Sequence, residues 1–441
     1  MGAILRRIGN LPCVWLLIGA AVVVENGCLG GLPVLLLAVA LLAVMLRRGI
    51  EDPGDVDWAI AAACGLGLVR PPGADLSAPF PRVCISLLTV AVGVVGILAW
   101  RKPRLAGAGA LACCLALSTL AGTLVIEESP NPRIDVFGIE QGGAKALLAG
   151  KNPYSQSYAN PYTPLQTERF FGDRRTELKQ YPYPPLSLAW CTLGYALGGD
   201  VRWSLLVAEL LIPILLFYLA RRCGHPPRVA LGLAVLEIVH PRGALVLEQA
   251  WTESLIGSAF LLLLLVLVGR PRVLLGGAVL GVFLASKQYS VVILPLLLLR
   301  RVVPRSYRGP ALAVVAAVTV PFLVWGVSDF LDDVVLFQLR QPARDDAMSL
   351  PGLVQWSTGV RLPGFIAVVA ATGALAFWWR KVTDARRLPL AAACVYGVFF
   401  LTAKQSFCNY YYFLGIVVLA AAAATPARRA TAAPEAVATP A

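Results

Sequence analysis

Long unbroken stretches of apolar residues govern what this chain can fold into. The clearest cover residues 32–45, 83–100, 106–126, 204–220, 255–268 and 364–379. An apolar block of about 17–25 residues is long enough to cross the hydrocarbon core of a bilayer as a helix. Inside that core the backbone must satisfy its own polar groups, which leaves helices and closed barrels. These blocks lack the period-two alternation of barrel strands. Composition agrees, since 58% of the 441 residues are hydrophobic and 14% are charged. Soluble domains are about half apolar and a quarter charged. The chain therefore reads as an all-α integral membrane protein, and a soluble enzyme is excluded.

The formal charge of +13 would suggest nucleic acid for a soluble protein. In a membrane protein the placement of cations matters more than their sum, and no nucleic-acid partner is expected. With Arg6 and Arg7 in the cytoplasm, spans fall near 11–26, 31–47, 56–70, 84–100 and 104–126, then 202–220, 227–240, 252–268, 271–286, 289–300, 309–327, 363–379, 388–403 and 408–424. This count of about 14 transmembrane helices places 22 of the 38 basic residues on the cytoplasmic side. They include Arg47, Arg48, Arg101, Arg104, Arg221, Arg222, Arg270, Arg301, Arg386, Arg428 and Arg429. Most of the others sit in two longer outer loops, where the positive-inside bias has little force. The span over 56–70 is short and glycine-rich. The apolar stretch 184–197 cannot cross without putting Arg221 and Arg222 outside, so it reads as an interfacial helix.

The organisation is thus a five-span region (1–126), an extracytoplasmic loop with interfacial helices (127–201), a nine-span region (202–424) with an outer loop at 328–362, and a disordered cytoplasmic tail (425–441) rich in Ala, Pro and Thr. No internal repeat is evident. Arg6 occupies the place where a myristoylation motif needs Ser or Thr, and no small-residue cleavage signal follows the first block, so that block reads as a retained span. Ten scattered cysteines, without a Cys-x-x-Cys pair or a histidine cluster, read as small buried hydrophobes. No metal site and no cofactor are expected.

The first outer loop is too long and too rich in Tyr, Asn and Gln for a plain connector. It opens with Asp135 just beyond the fifth span. Helical spacing over 139–148 follows, ending at Gly150-Lys151-Asn152-Pro153-Tyr154. Then comes Tyr181-Pro182-Tyr183-Pro184-Pro185-Leu186, an extended and rigid entry to the interfacial helix.

Those three features, Asp135 after an outgoing span, the segment from Ala146 to Tyr154 and the Tyr-Pro run, resemble the polytopic glycosyltransferases of the GT-C fold, and most nearly glycosyltransferase family 87. The likeness covers about two-thirds of the chain and is carried by short motifs. It implies transfer of a sugar, mannose or another hexose, from a polyprenyl-phosphate donor to a lipid- or glycan-linked acceptor at the outer face of the cell membrane. In such enzymes an outer-loop Asp is the catalytic base, and Asp135 matches it. In the family that Asp follows the first span, whereas here it follows the fifth.

The chemistry is coherent from the residues alone. An inverting transfer needs one carboxylate to take a proton from the acceptor hydroxyl. A lipid-phosphate leaving group needs cations rather than an acid. Asp135 reads equally as a helix cap or a surface charge beside Arg133. Lys287 and Lys404, on the outer side, are candidates for the donor phosphate, or lysines that snorkel to the interface. Arg242 belongs with them, in a polar cluster with Glu248, Gln249 and Glu253. Tyr183, Gln288, Asn409, Tyr410 and Tyr411 have the chemistry of sugar recognition, rings for the sugar face and polar tips for its oxygens. An interfacial aromatic belt explains the tyrosines too. Glu209 and Glu237 lie within spans, where ionisable groups are costly and usually functional. A transporter or flippase of a lipid-linked sugar fits the same spans and charges. A transporter, however, typically binds near the midplane at a repeat interface.

Overall fold

A computed structural model describes residues 10–25, 29–46, 56–70, 72–76, 78–269 and 272–426. Arg6, Arg7, Arg47, Arg48, Arg270, Arg428, Arg429 and the tail beyond Pro426 lie outside the described residues. The described chain is almost wholly helical. Five helices come first: α1 (Leu11–Val24), α2 (Gly31–Leu46), α3 (Val56–Val69), α4 (Pro79–Arg101) and α5 (Ala108–Glu128). The long loop contains α6 (Asp135–Leu148), α7 (Pro164–Phe171) and α8 (Pro185–Gly198). A two-residue antiparallel pair, β1 (Tyr158–Ala159) with β2 (Glu177–Leu178), flanks α7.

Then follow α9 (Arg202–Arg222), α10 (Pro227–Ile238), α11 (Gly243–Glu248), α12 (Glu253–Gly269) and α13 (Val273–Ser286). A 3-10 segment, Gln288–Ile293, runs into the short α14 (Leu294–Leu297), and α15 (Arg308–Trp325) precedes the second loop. That loop holds α16 (Val327–Leu331), a π-helical turn at Asp332–Leu336, α17 (Phe337–Arg340) and α18 (Leu350–Thr358). The last three helices are α19 (Phe365–Trp379), α20 (Leu388–Thr402) and α21 (Cys408–Ala424).

Among the described residues, five helical stretches are long and apolar enough to cross a membrane: Pro79–Arg101, Ala108–Glu128, Arg202–Arg222, Arg305–Trp325 and Ala385–Thr402. Most of the other expected spans are apolar helices of 10–17 residues. At 1.5 Å per residue the 12 residues of α10 reach only about 18 Å, well short of a bilayer core. Prolines open α1, α4, α8, α10 and α20, where the missing N–H has no partner to lose. Helix α21 is apolar on every face and buried along nearly its whole length. It packs against α1, α9, α12 and α20 as the centre of the main core.

Polar contacts divide the helix ends into two groups. At one end Asp57 faces Arg101, Arg228 lies over the Trp100 ring, Arg222 donates to the Gly269 carbonyl and Arg301 to that of Val382. His225 meets the Thr425 carbonyl there as well. At the opposite end Arg70 donates to Val24 O, Arg202 to Ile126 O, and Glu248 accepts from the Ala74 and Asp75 amides. The helix α3 therefore reaches from one group of contacts to the other. Helix α8 does not. Its Ser187 donates to Ser286 O, and Gln141 donates to Gly199 O, just beyond its last turn. Both contacts lie at the loop-bearing end.

Candidate functional site

A cavity of about 580 Å³ opens at the loop-bearing end. Asp135, Tyr183, Lys287, Gln288, Lys404, Asn409 and Tyr410 all line it, brought from separate connections. Tyr162, Gln338, Gln341, Arg344 and Phe407 join them.

One wall is built on Asp135. Ile134 is extended and α6 begins at Asp135 itself, four residues earlier than the apolar spacing predicts, so the carboxylate sits in the first helical turn. Unpaired N–H groups there favour negative charge. Its Oδ1 accepts from the Val136 amide and from the Tyr162 hydroxyl, each at 2.9 Å. Its Oδ2 is left for whatever enters the cavity. Tyr162 is held in turn by local chemistry. Its amide donates to Asn160 Oδ1 at 3.1 Å, and Thr163 with Gln166 forms a capping box that starts α7. Burial raises the Asp135 carboxyl above its ordinary 3.8, while the Tyr162 hydrogen bond and the charge of Arg344 pull it back.

Arg344 is the cation nearest that wall in the electrostatic sense. Its guanidinium carbon lies 3.9 Å from the centroid of Phe170 and 4.6 Å from that of Phe407. Nε and Nη2 bind both oxygens of Asp346, at 2.8 and 2.5 Å.

The floor is a buried ion pair. Lys287 Nζ lies 2.5 Å from Glu253 Oε1, which also accepts from Asn409 Nδ2 at 2.8 Å and the Tyr289 hydroxyl at 3.3 Å. Lys404 Nζ donates to the carbonyls of Leu339 at 3.0 Å and Gln341 at 2.6 Å. That contact ties the second loop to the connection between α20 and α21.

The second loop closes over this site. Gln288 and Gln338 both donate to Pro182 O, at 2.5 and 3.3 Å. Asp333, in the π-helical turn, accepts from the Tyr181 amide at 2.8 Å, and burial pushes its carboxyl up to about 7. The Tyr181 hydroxyl donates to Glu140 at 2.5 Å, and burial likewise lifts that carboxyl to about 7. Gly143 permits this packing: a Cβ there would lie 2.5 Å from the Tyr181 ring.

Other sequence candidates fall outside the cavity lining. Arg242 is buried and donates to the Val22 carbonyl at 3.3 Å, so it holds α1 rather than facing the cavity. Glu248 is occupied by the loop amides of Ala74 and Asp75, and Gln249 donates to Asp75 at 3.4 Å. Glu253 acts one layer behind the surface, through Lys287 and Asn409. Tyr411 is buried and donates to Met348 O. Glu237 accepts from the Tyr412 hydroxyl at 2.8 Å, away from the cavity. The sequence passed over Tyr162, and it marked Arg344 only as one of the charges, with Arg340, Asp345 and Asp346, of an outer loop that reads as a solvated loop or as a lid over the site. Only the aromatic residues around them could have flagged them.

Neither models of known protein families, nor curated proteins, nor solved structures give a match to this chain. Among the described residues, fold and site define a mainly helical protein with five helices long and apolar enough to cross a membrane and a polar, aromatic cavity at one end of its bundle.

Proposed function

We propose that this protein is a polytopic membrane glycosyltransferase of the GT-C type, with about 14 spans and both termini in the cytoplasm. It moves a hexose such as mannose from a polyprenyl phosphate to a lipid- or glycan-linked acceptor at the outer face. The observation that carries this reading is the placement of Asp135. A carboxylate with one oxygen fixed by Tyr162 and the other free stands in the wall of a 580 Å³ cavity that also holds basic and aromatic side chains. Asp135 Oδ2 takes the proton of the acceptor hydroxyl. The acceptor oxygen bonds to the anomeric carbon from one face as the bond from that carbon to the phosphate oxygen breaks on the other. The polyprenyl phosphate leaves as an anion, stabilised by cations rather than by a proton. The cavity's position at one end of the bundle suits this better than transport, whose sites typically lie near the midplane.

The test is direct. Purified protein in detergent is incubated with radiolabelled polyprenyl-phosphate mannose and membrane lipids. Label passing to a lipid or glycan product supports the reading. Donor binding with no transfer to any acceptor in the extract, together with uptake of a lipid-linked sugar across proteoliposomes, would replace it with the transporter.

A further inference from the structure

Three basic side chains line the cavity, and they are not equivalent. Lys287 is spent on Glu253, whose carboxylate is fully buried beneath it. Lys404 gives two of its three N–H groups to backbone carbonyls of the second loop. Arg344 is paired as well, with Asp346, but its geometry differs. Its plane is fixed by Phe170 and Phe407 and by the two-point contact with Asp346, yet Nη1 donates to nothing. A guanidinium is always charged and binds planar or tetrahedral oxyanions through paired N–H groups, and pre-ordering reduces what it loses on binding. Asp346, which neutralises it, is not part of the cavity lining, whereas Arg344 is. From this geometry we infer that Arg344 is the group that binds the phosphate-like anion in this cavity, in place of the two lysines. Resting on the reading above, this assigns the leaving phosphate to a residue of the second loop. Docking of the donor then also fixes that loop over the site. Arg344 also lies close enough to Asp135 for each to sense the other's charge. The base and the anion site thus share one wall.

The experiment measures binding to the full-length protein in detergent, using undecaprenyl phosphate, undecaprenol and inorganic phosphate as probes. Arg344→Gln is expected to weaken undecaprenyl phosphate binding about tenfold or more, the usual scale for a charge-assisted hydrogen bond, and to leave undecaprenol binding unchanged. Asp346→Asn breaks the same ion pair but keeps the cation, so it should bind the phosphate as well as the parent or better. Equal losses in both variants would show that the pair merely holds the loop, and the inference would fall. Unchanged phosphate binding in Arg344→Gln would also overturn it, while leaving the proposed reaction intact. Parental protein that binds inorganic phosphate but neither lipid would keep the anion site and remove the lipid-linked donor. Parental protein that binds no phosphate probe would sink both.

Discussion

Lys287 and Glu253 form an ion pair of 2.5 Å in which the lysine side chain is 8% exposed and the carboxylate not at all. Removing one partner of a buried pair leaves the other charged without compensation and costs about 3–5 kcal/mol. The lysine thus has a structural task in addition to any contact with a ligand.

Lys287→Met is therefore expected to lower the melting temperature in detergent markedly. Lys287→Met combined with Glu253→Gln should recover most of that loss, because no uncompensated charge remains. Thermal melts of the parent, both single variants and the double variant decide it. A Lys287→Met protein as stable as the parent but weaker in donor use would return Lys287 to a direct role at the phosphate.

The two groups of helix ends give a sharp topological expectation. Lys151 and Arg174 are exposed at the loop-bearing end, Arg221 and Arg386 at the opposite one. Single cysteines at these positions, in a background cleared of the ten native ones, should divide cleanly. Positions 151 and 174 should react with an impermeant maleimide on intact cells, and 221 and 386 only after the membrane is breached. Labelling at 174 that requires a breach overturns the orientation.

The helices were readable because their apolar residues fall in blocks, but block length does not separate one role from another, since α1, α3 and α8 are each 14 residues long. Asp57–Val69 was the weak case, and its helix joins opposite ends of the bundle through Arg101 and Arg70. The site was half readable. Asp135, Lys287 and Asn409 stand out as polar residues at the edge of apolar blocks. Nothing local marks Arg344 out from Arg340 four residues earlier. One faces a cavity and the other pairs with Asp332 in solvent, a difference made by Phe170 and Phe407 arriving from distant segments. Arg242 and Glu248 misled for the same reason. A polar cluster between spans can close loops as readily as it can bind a ligand.

Glu140 yields a stability prediction. Its carboxyl is held at about 7 by burial, against an ordinary value of 4.5. A carboxyl raised in the folded state favours folding fully below about 4.5, and that contribution is lost as pH rises through about 7. The parent should thus become more stable as pH falls from 8 to 5. Glu140→Gln, which still accepts the Tyr181 hydrogen bond, should flatten that dependence and be the more stable protein at pH 8. Parallel melting curves across this range for both proteins would contradict it. Glu140 is accordingly unsuitable as a neutral control for its neighbour Asp135.

Asp135 carries the enzymatic reading, and its test needs a control that is exposed and lies in the same loop. Glu177, exposed in the short strand pair of the same loop, serves. A general base contributes about 10²–10⁴-fold to rate. Asp135→Asn keeps the shape and still accepts from Tyr162, so it should fold, bind the donor and lose transfer on that scale, whereas Glu177→Gln should stay near the parental rate. The pH profile adds a second readout. The ionised carboxylate is the active form, so kcat/KM should fall as pH drops through the pKa of Asp135. Burial shifts that acid limb upward from the ordinary position of an aspartate. Tyr162→Phe deletes a hydrogen bond that lowers the pKa, so the limb should move to still higher pH while the plateau rate changes less. A folded, donor-binding Asp135→Asn protein that turns over at near-parental rate removes Asp135 as the base. An acid limb that Tyr162→Phe leaves in place assigns that limb to some other group.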